Sequence, residues 1–207
     1  MTTIFINASP NKEGMTSKWG AKVLEGIDYE RIDLVDFHIA QLGQVKANDD
    51  FDAVMDRLAK ANYVVIGTPI YWWDISGLLK TFIDRWTELF QIGLDSENAP
   101  LHQLPVLWIV QGAAPEEAIP GIERMLGNIS ERFMMDSQGI LYQKKQISEA
   151  NRQLKQMLVV DLSQYLGHIL VETVKPFFLL LILQIPVGLD SESSYGFDFG
   201  YKILQCS

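Results

Sequence analysis

Cysteine is almost absent from this chain of 207 residues, since Cys206 is the only one. A single cysteine excludes an intrachain disulfide, a cysteine-based zinc site and an iron-sulfur cluster held by this chain alone. His38, His102 and His168 are scattered, without the spacing of metal ligands. No metal site is therefore predicted, and a reducing compartment fits the composition.

Basic residues are also scarce: 17 Lys and Arg stand against 26 Asp and Glu, and the net charge is -9. Binding of a nucleic-acid backbone requires clustered cationic side chains, which this sequence does not contain, so nucleic acid is not an expected partner. The N-terminal residues enter an apolar segment without a basic stretch or a cleavable apolar stretch. We therefore expect no secretion signal and a cytoplasmic location.

Long hydrophobic runs are missing too. Residues 176–187 are apolar but bounded by prolines, and they are too few for a spanning helix of about 20 residues. A longer window from His168 would place Glu172 and Lys175 inside the bilayer at a cost of roughly 2.5 to 3.5 kcal/mol each. The sequence predicts no transmembrane span. Burial of this run against the domain or a partner is favoured, and weak membrane contact is the alternative.

Short apolar runs alternate with helical patterns along residues 1–157, which is typical of βαβ units and a parallel sheet. The strands are predicted at residues 4–7, 30–34, 63–68, 106–110 and 133–142. The helices are predicted at residues 16–24, 50–60, 76–90, 116–132 and 147–158. Residues 158–207 are expected to form an atypical apolar C-terminal extension, either a dimerisation element or a segment not selected to fold.

A loop rich in hydroxyl groups follows the first predicted strand, from Ser9 to Ser17, and ends at a helix N-terminus. Free backbone N-H groups, hydroxyl donors and the positive end of the helix dipole would suit a phosphate there. The alternative is that Thr16 or Ser17 only caps the helix and Gly14 only turns the chain.

Three adjacent aromatic residues, Tyr71, Trp72 and Trp73, follow Pro69 at the end of the third predicted strand. Such a group offers a flat platform that a packed core rarely needs. In an open parallel sheet of order 2-1-3-4-5, the loops after strands one and three lie side by side, at the point where ligands bind. A ligand with a phosphate at one end and a flat ring at the other would span them, and flavin mononucleotide (FMN) has this shape.

Two segments carry a family resemblance. The first is Ser9-Pro10 with Gly14-x-Thr16-Ser17. The second is Gly67-Thr68-Pro69-Ile70-Tyr71-Trp72-Trp73 followed by Leu79-Lys80-x-Phe82-Ile83-Asp84-Arg85. Both segments resemble the signatures of the flavodoxin-like NAD(P)H-dependent FMN reductase and quinone reductase family. The similarity covers about residues 3 to 157. It implies an α/β flavodoxin-like three-layer fold, with a five-stranded parallel sheet in the order 2-1-3-4-5 and helices on both faces.

The resemblance also implies non-covalent FMN, NADH or NADPH as electron donor, a homodimer, and two-electron ping-pong turnover with a small acceptor such as a quinone, a nitroaromatic or a flavin. No side chain is expected to act as a catalytic group, because the flavin carries the chemistry. Carried over by position, the cofactor-binding residues would be Ser9, Met15, Thr16 and Ser17 at the phosphate end, and Pro69, Ile70, Tyr71, Trp72, Gln111, Gly112 and Ala113 around the ring.

Other interpretations stay open at this point. The acidic composition suits a flavodoxin-like carrier that passes single electrons to basic protein partners, and a flavin-binding regulatory module is a third possibility. Trp86 is expected in the core or an interface, whereas Trp73 could serve either core or ligand. Asp84 is expected to be a structural partner of Arg85 or Lys80 rather than an acid catalyst.

Overall fold

The computed structural model describes residues 2–44, 48–91 and 99–159. They lie within one compact unit, Met1–Val160. The apolar run at residues 176–187 and nearly all of the predicted C-terminal extension lie outside the described residues, so the predicted domain boundary stays a prediction. Among the described helices, none combines the length and the apolar character needed to cross a bilayer.

The strands form a parallel sheet whose order matches the predicted one. Strand β1 is Thr3–Asn7, β2 is Glu30–Asp33, β3 is Tyr63–Tyr71, β5 is Pro105–Gln111 and β6 is Asp136–Leu141. Their order across the sheet is β2-β1-β3-β5-β6, which is the flavodoxin order. The short strand β4, Asp74–Ile75, was not predicted and pairs antiparallel with the end of β3.

Helices cover both faces of the sheet. Helix α1 is Met15–Val23, α2 is Phe51–Leu58, α3 is Gly77–Arg85, α4 is Thr87–Gln91 and α5 is Pro115–Arg132, and α6 occupies residues 147–159. Because side chains alternate along a strand, Ile4 and Ile6 of β1 pack with α2, α3 and α5, whereas Phe5 packs with α1 and α6. The predicted three-layer architecture is therefore confirmed.

Most boundaries agree with prediction within two residues, and three elements differ by more. The helix predicted at residues 76–90 is interrupted at Trp86, which is fully buried between the rings of Phe82 and Phe133. The last strand begins at Asp136 instead of Phe133, because Phe133 ends α5 and Met134 turns the chain at a φ of 51°. The third strand continues beyond residue 68 to Tyr71, where Pro69 pairs with Gln111 of β5.

Candidate functional site

The loops after β1, β3 and β5 meet at one edge of the sheet. The register places Asn7 opposite Gly67 and Pro69 opposite Gln111, so the carboxyl ends of these three strands lie side by side. The chain runs from β1 outwards to β2 and returns to β3 on the other side of β1, which makes this edge the topological switch point. The two loops selected from the sequence are therefore neighbours.

A series of side-chain to backbone hydrogen bonds shapes the loop after β1. Asn7 Oδ1 accepts from the N-H of Ser9 at 3.3 Å, Ser9 Oγ from the N-H of Asn11 at 3.1 Å, and Asn11 Oδ1 from the N-H of Glu13 at 3.0 Å. Each bond spans two residues, as Asn and Ser commonly do in turns. Asn7 and Asn11 were missed as site residues, and their place in this turn-rich segment was the signal that could have found them.

Asp33 at the end of β2 holds this turn from the neighbouring strand. Its Oδ1 accepts from Asn7 Nδ2 at 2.7 Å and from Nε and Nη2 of Arg31 at 3.0 and 2.8 Å. Arg31 Nη2 also donates to the carbonyl oxygen of Lys12 at 2.5 Å. Hydrogen bonds within the protein itself therefore hold the conformation of this loop.

The first turn of α1 presents unused donors beside this loop. Gly14 is the N-cap and no side chain caps the helix, so the interpretation of Thr16 or Ser17 as a helix cap is wrong. Thr16 and Ser17 are 1% and 4% exposed. Met15 is half-exposed. Uncapped N-H groups and two hydroxyls at a helix N-terminus are a donor set that fits a phosphate.

The aromatic segment forms a tight hairpin at the end of β3. Ile70 pairs with Ile75 and Tyr71 with Asp74, which leaves Trp72 and Trp73 as the two turn residues with φ of 51° and 63°. Two successive left-handed residues form the type I′ turn that Asn-Gly usually occupies. Bulky residues rarely adopt it, at a cost of about 1 to 3 kcal/mol each. The surrounding structure must stabilise this turn.

The indoles of the hairpin face solvent and do not form one flat platform. Trp72 is 89% exposed and Trp73 is 60% exposed, and their ring centroids lie 6.4 Å apart with the planes tilted by 44°. The expectation of a single flat surface is therefore wrong. Trp73 Nε1 donates to Glu117 Oε2 of α5 at 3.0 Å, a contact that holds the turn and that sequence reasoning did not anticipate.

The loop after β5 packs against the aromatic hairpin. A Cβ placed on Gly112 would lie 2.8 Å from Ile70 Cβ, so the absence of a side chain lets the two loops touch. Between the hairpin and α5 lies a cleft of about 340 Å³, lined by Ile70, Trp72, Trp73, Ala113, Ala114, Glu117 and Ala118.

The predicted residues divide among four places. Ile70, Trp72 and Ala113 line the cleft. Ser9, Met15, Thr16 and Ser17 lie at the loop and helix start after β1. Tyr71 and Gln111 are the last residues of β3 and β5, and Gly112 directly follows β5. Pro69 is buried and pairs with β5, so it shapes the edge without lining an open surface.

Ser76, which was not predicted, connects these parts. Its hydroxyl donates to the carbonyl oxygen of Ala8 at 2.7 Å and accepts from the N-H of Leu79 at 3.2 Å. Its own N-H donates to Thr68 Oγ1 at 3.0 Å. This N-cap of α3 therefore joins the end of β1, the end of β3 and the start of α3.

Arg85 and Asp84, part of the motif after the aromatic loop, are structural. Arg85 is 3% exposed, pairs with Asp49 and Glu88 at 2.5 Å each, and lies 4.6 Å from the ring centroid of Phe51. Asp84 pairs with Lys80 at the surface, as one of its two expected partners.

Burial acts to raise the pKa of Asp49, but the backbone N-H groups of Phe51 and Ala40 and the Arg85 guanidinium together hold this pKa below its ordinary value.

The sheet order and the two loops at the switch point define a flavodoxin-like α/β protein. The family model described as NADPH-dependent FMN reductase matches residues 1–125, more than half of the chain, and the chain belongs to this family. This confirms the resemblance noted in the sequence, together with FMN as cofactor.

Two relatives and one solved structure show the extent of the similarity. A Bacillus subtilis (strain 168) protein named as an NAD(P)H-dependent FMN-containing oxidoreductase, YwqN, is 34% identical over 96 residues, which span 42% of this chain and 53% of the relative. An iron-sulfur flavoprotein of Methanocaldococcus jannaschii is 30% identical over 112 residues, 47% of this chain and 58% of the relative. The chain spans about half the length of these relatives.

The Trp repressor binding protein from Bacillus subtilis superposes with a TM-score of 0.61 at 24% identity, over 72% of this chain and 98% of that one. At this identity the structural likeness shows the fold alone. It confirms the flavodoxin-like architecture independently of the sequence motifs.

Proposed function

We propose that this chain is an FMN-dependent oxidoreductase that oxidises NADH or NADPH and passes two electrons to a small acceptor, such as a quinone, a nitroaromatic or a flavin. One observation carries the proposal: a helix N-terminus with no side-chain cap and two buried hydroxyl residues, Thr16 and Ser17, lies beside an exposed aromatic hairpin at the switch point of the sheet. Phosphate donors at one end and aromatic contacts at the other suit FMN.

At the phosphate end, Thr16 and Ser17 would donate through their hydroxyls and through the backbone N-H groups of the first turn of α1. Ser9 Oγ already accepts a bond from Asn11, which leaves its proton free to point at a phosphate oxygen. Met15, half-exposed between these donors, would contact the ribityl chain or the rim of the site. The preformed turn lowers the entropy that binding would cost.

At the ring end, Ile70, Tyr71 and Trp72 would contact one edge and one face of the isoalloxazine, and Gln111, Gly112 and Ala113 the other edge. Pro69 would act indirectly, by holding the hairpin on β5. Contact between Gly112 and Ile70 keeps the two ring-side loops at a constant separation. Aromatic and apolar walls with few polar groups are typical of cofactor sites.

When bound, FMN supplies two-electron redox chemistry that no side chain of this chain provides. NAD(P)H would be oxidised to NAD(P)⁺, and the acceptor would take up two electrons and two protons. We propose ping-pong turnover, in which the nicotinamide leaves before the acceptor enters. The residues around the ring would then bind and orient two different planar molecules in succession.

The test uses the purified full chain, loaded with excess FMN and freed of unbound cofactor. We expect a bound flavin spectrum that bleaches when NADH or NADPH is added without oxygen, and parallel double-reciprocal plots when the acceptor is varied. If flavin binds but neither nucleotide reduces it, the reductase proposal is wrong and a carrier function is favoured. If no flavin binds, the site assignment is wrong as well.

We also propose that the chain forms a homodimer with the site near the interface. Three large apolar side chains at this edge are about half exposed or more: Met15, Tyr71 and Trp72. Clustered exposed apolar groups are typical of interaction surfaces. Light scattering across a range of protein concentrations, with and without FMN, should give twice the mass of one chain. A monomer at all concentrations would contradict the proposal.

A further inference from the structure

The cleft between the aromatic hairpin and α5 is lined by two large aromatic side chains and several small ones. On one side are the indoles of Trp72 and Trp73, and the other lining residues include Ala113, Ala114 and Ala118. Its volume of about 340 Å³ lies at the lower end of ligand sites and suits a small planar ring system. Exposed indole faces favour stacking of such a ring.

The cleft is continuous with the ring-side loops. Ile70, Trp72 and Ala113 line it, and all three also belong to the segments proposed to contact the flavin. A molecule in the cleft would therefore lie next to the cofactor ring instead of at a remote surface. This position suits the substrate that takes electrons from the flavin.

Glu117 is the one charged residue that lines the cleft among the described residues. Its Oε2 accepts the bond from Trp73 Nε1 at 3.0 Å, which holds the carboxylate at the cleft wall. Its sequence neighbour Glu116 and the residue after the turn, Asp74, are also exposed acids. No Lys or Arg of the described ranges lines the cleft, so its charge is negative.

We propose that this cleft binds the planar ring of the electron acceptor, and that Glu117 makes it selective for uncharged or cationic acceptors over anionic ones. The inference rests on the proposed function and specifies its acceptor class. Glu117 would repel a sulfonate or carboxylate on the acceptor ring, whereas the indoles bind neutral and charged rings alike. The selectivity is therefore electrostatic, and it should weaken at high salt.

The test compares a neutral naphthoquinone, menadione, with a sulfonated naphthoquinone. Binding of each to the full chain is measured by quenching of tryptophan fluorescence, with and without FMN, and kcat/KM is measured with NADH or NADPH as donor. Glu117→Gln removes the charge but keeps an oxygen that accepts the Trp73 bond. We expect it to lower the Kd and raise the kcat/KM of the sulfonated acceptor about fivefold, the effect of one charge at about 4 Å in water.

Menadione should change less than about twofold in the same variant, and about 0.5 M salt should reduce the gain for the sulfonated acceptor. Glu123→Gln is the matched control, because Glu123 is exposed on the same helix and does not line the cleft. It changes the net charge equally and should leave both acceptors unaffected. Equal effects of the two substitutions would assign selectivity to overall charge and overturn the inference.

Two further outcomes separate the inference from the function on which it rests. If Glu117→Gln changes the affinity for FMN and not the discrimination between acceptors, the cleft belongs to the flavin ring and the inference is wrong. If the fluorescence titrations show the expected discrimination but no nucleotide supports turnover, the proposed function fails while the cleft assignment stands. Turnover with unchanged acceptor preference would refute the cleft assignment alone.

Discussion

Gly67 and Thr16 approach so closely that a Cβ on Gly67 would lie 2.8 Å from Thr16 Cγ2. Gly67 belongs to β3 and Thr16 to the first turn of α1, so this contact sets the distance between the sheet and the helix N-terminus that we propose to hold the FMN phosphate. Phe5 Cε2 would lie 3.2 Å from the same Cβ. The glycine is therefore required for close packing.

Replacement of Gly67 by Ala should displace the start of α1. We expect the free energy of unfolding to fall by about 1 to 3 kcal/mol, as for other overpacked sites, and FMN affinity to fall with it. Urea unfolding and flavin titration measure the two effects. Gly77→Ala is the matched control, since no atom lies within 4 Å of its Cβ position. Unchanged FMN binding in Gly67→Ala would contradict the placement of the phosphate.

Thr16→Val and Ser17→Ala remove a hydroxyl with little change in shape. Hydrogen bonds to a charged group contribute about 1.5 to 3 kcal/mol, so each substitution should raise the Kd of FMN roughly tenfold or more. Riboflavin lacks the phosphate and should bind the variants as it binds the original chain. Equal losses for FMN and riboflavin would mean that these residues act on the ring or on folding, against the proposal.

Gly112→Ala should disturb the opposite end of the site. Its new Cβ would lie 2.8 Å from Ile70 Cβ, so the ring-side loops must separate, and FMN and riboflavin should lose affinity by the same factor. Titration of both flavins distinguishes this result from that of the Thr16 variant. Gly121→Ala, with no atom within 4 Å of its Cβ position on α5, should bind both flavins normally.

Arg85→Met should be strongly destabilising, because it leaves Asp49 and Glu88 without their cation and the carbonyl of Ala40 without a donor. Removal of one member of a buried ion pair costs about 3 to 5 kcal/mol. Arg152→Met, which breaks the exposed pair with Glu149, should leave the free energy of unfolding nearly unchanged, because water and salt screen this pair. Similar unfolding midpoints for the two variants in urea would show that the pairs of Arg85 with Asp49 and Glu88 contribute little to the stability of the fold.

The lowered pKa of Asp49 predicts a specific acid dependence of stability. Because the folded-state pKa lies below the unfolded value of about 4, the stabilisation from Asp49 is complete above that pH and is lost as the pH falls through the folded value. Asp49→Asn should therefore flatten the decline of unfolding free energy below about pH 4. Asp28→Asn, at an exposed position, serves as the control, and an identical acid decline in all three proteins would refute the assignment.

The fold was predictable because its signals are local. Each buried strand is a short apolar run, and each helix has its own three- and four-residue periodicity, so the order of elements follows from the sequence alone. The break at Trp86 was not predictable in this way. The ring of Trp86 packs against Phe133, 47 residues further along the chain, and local periodicity contains no information about that contact.

The hairpin shows a second limit. A Trp-Trp pair is a poor sequence signal for a type I′ turn, which Asn and Gly favour. Here the pairing of Ile70 with Ile75 and the bond from Trp73 to Glu117 stabilise it. The partner of Trp73 lies 44 residues away in sequence, and local propensity contains no information about it.

By itself the sequence determined the α/β class, the positions of the two loops and the family to which the chain belongs, because periodicity and motif spacing are properties of neighbouring residues. Tertiary structure alone decided that Asn7 and Asn11 shape the first loop, that Ser76 joins three elements, and that Asp49 pairs with Arg85. It also decided that Glu117 lies at the wall of a cleft. These relationships join residues from separate elements, and only packing of the helices on the sheet brings them within hydrogen-bonding distance.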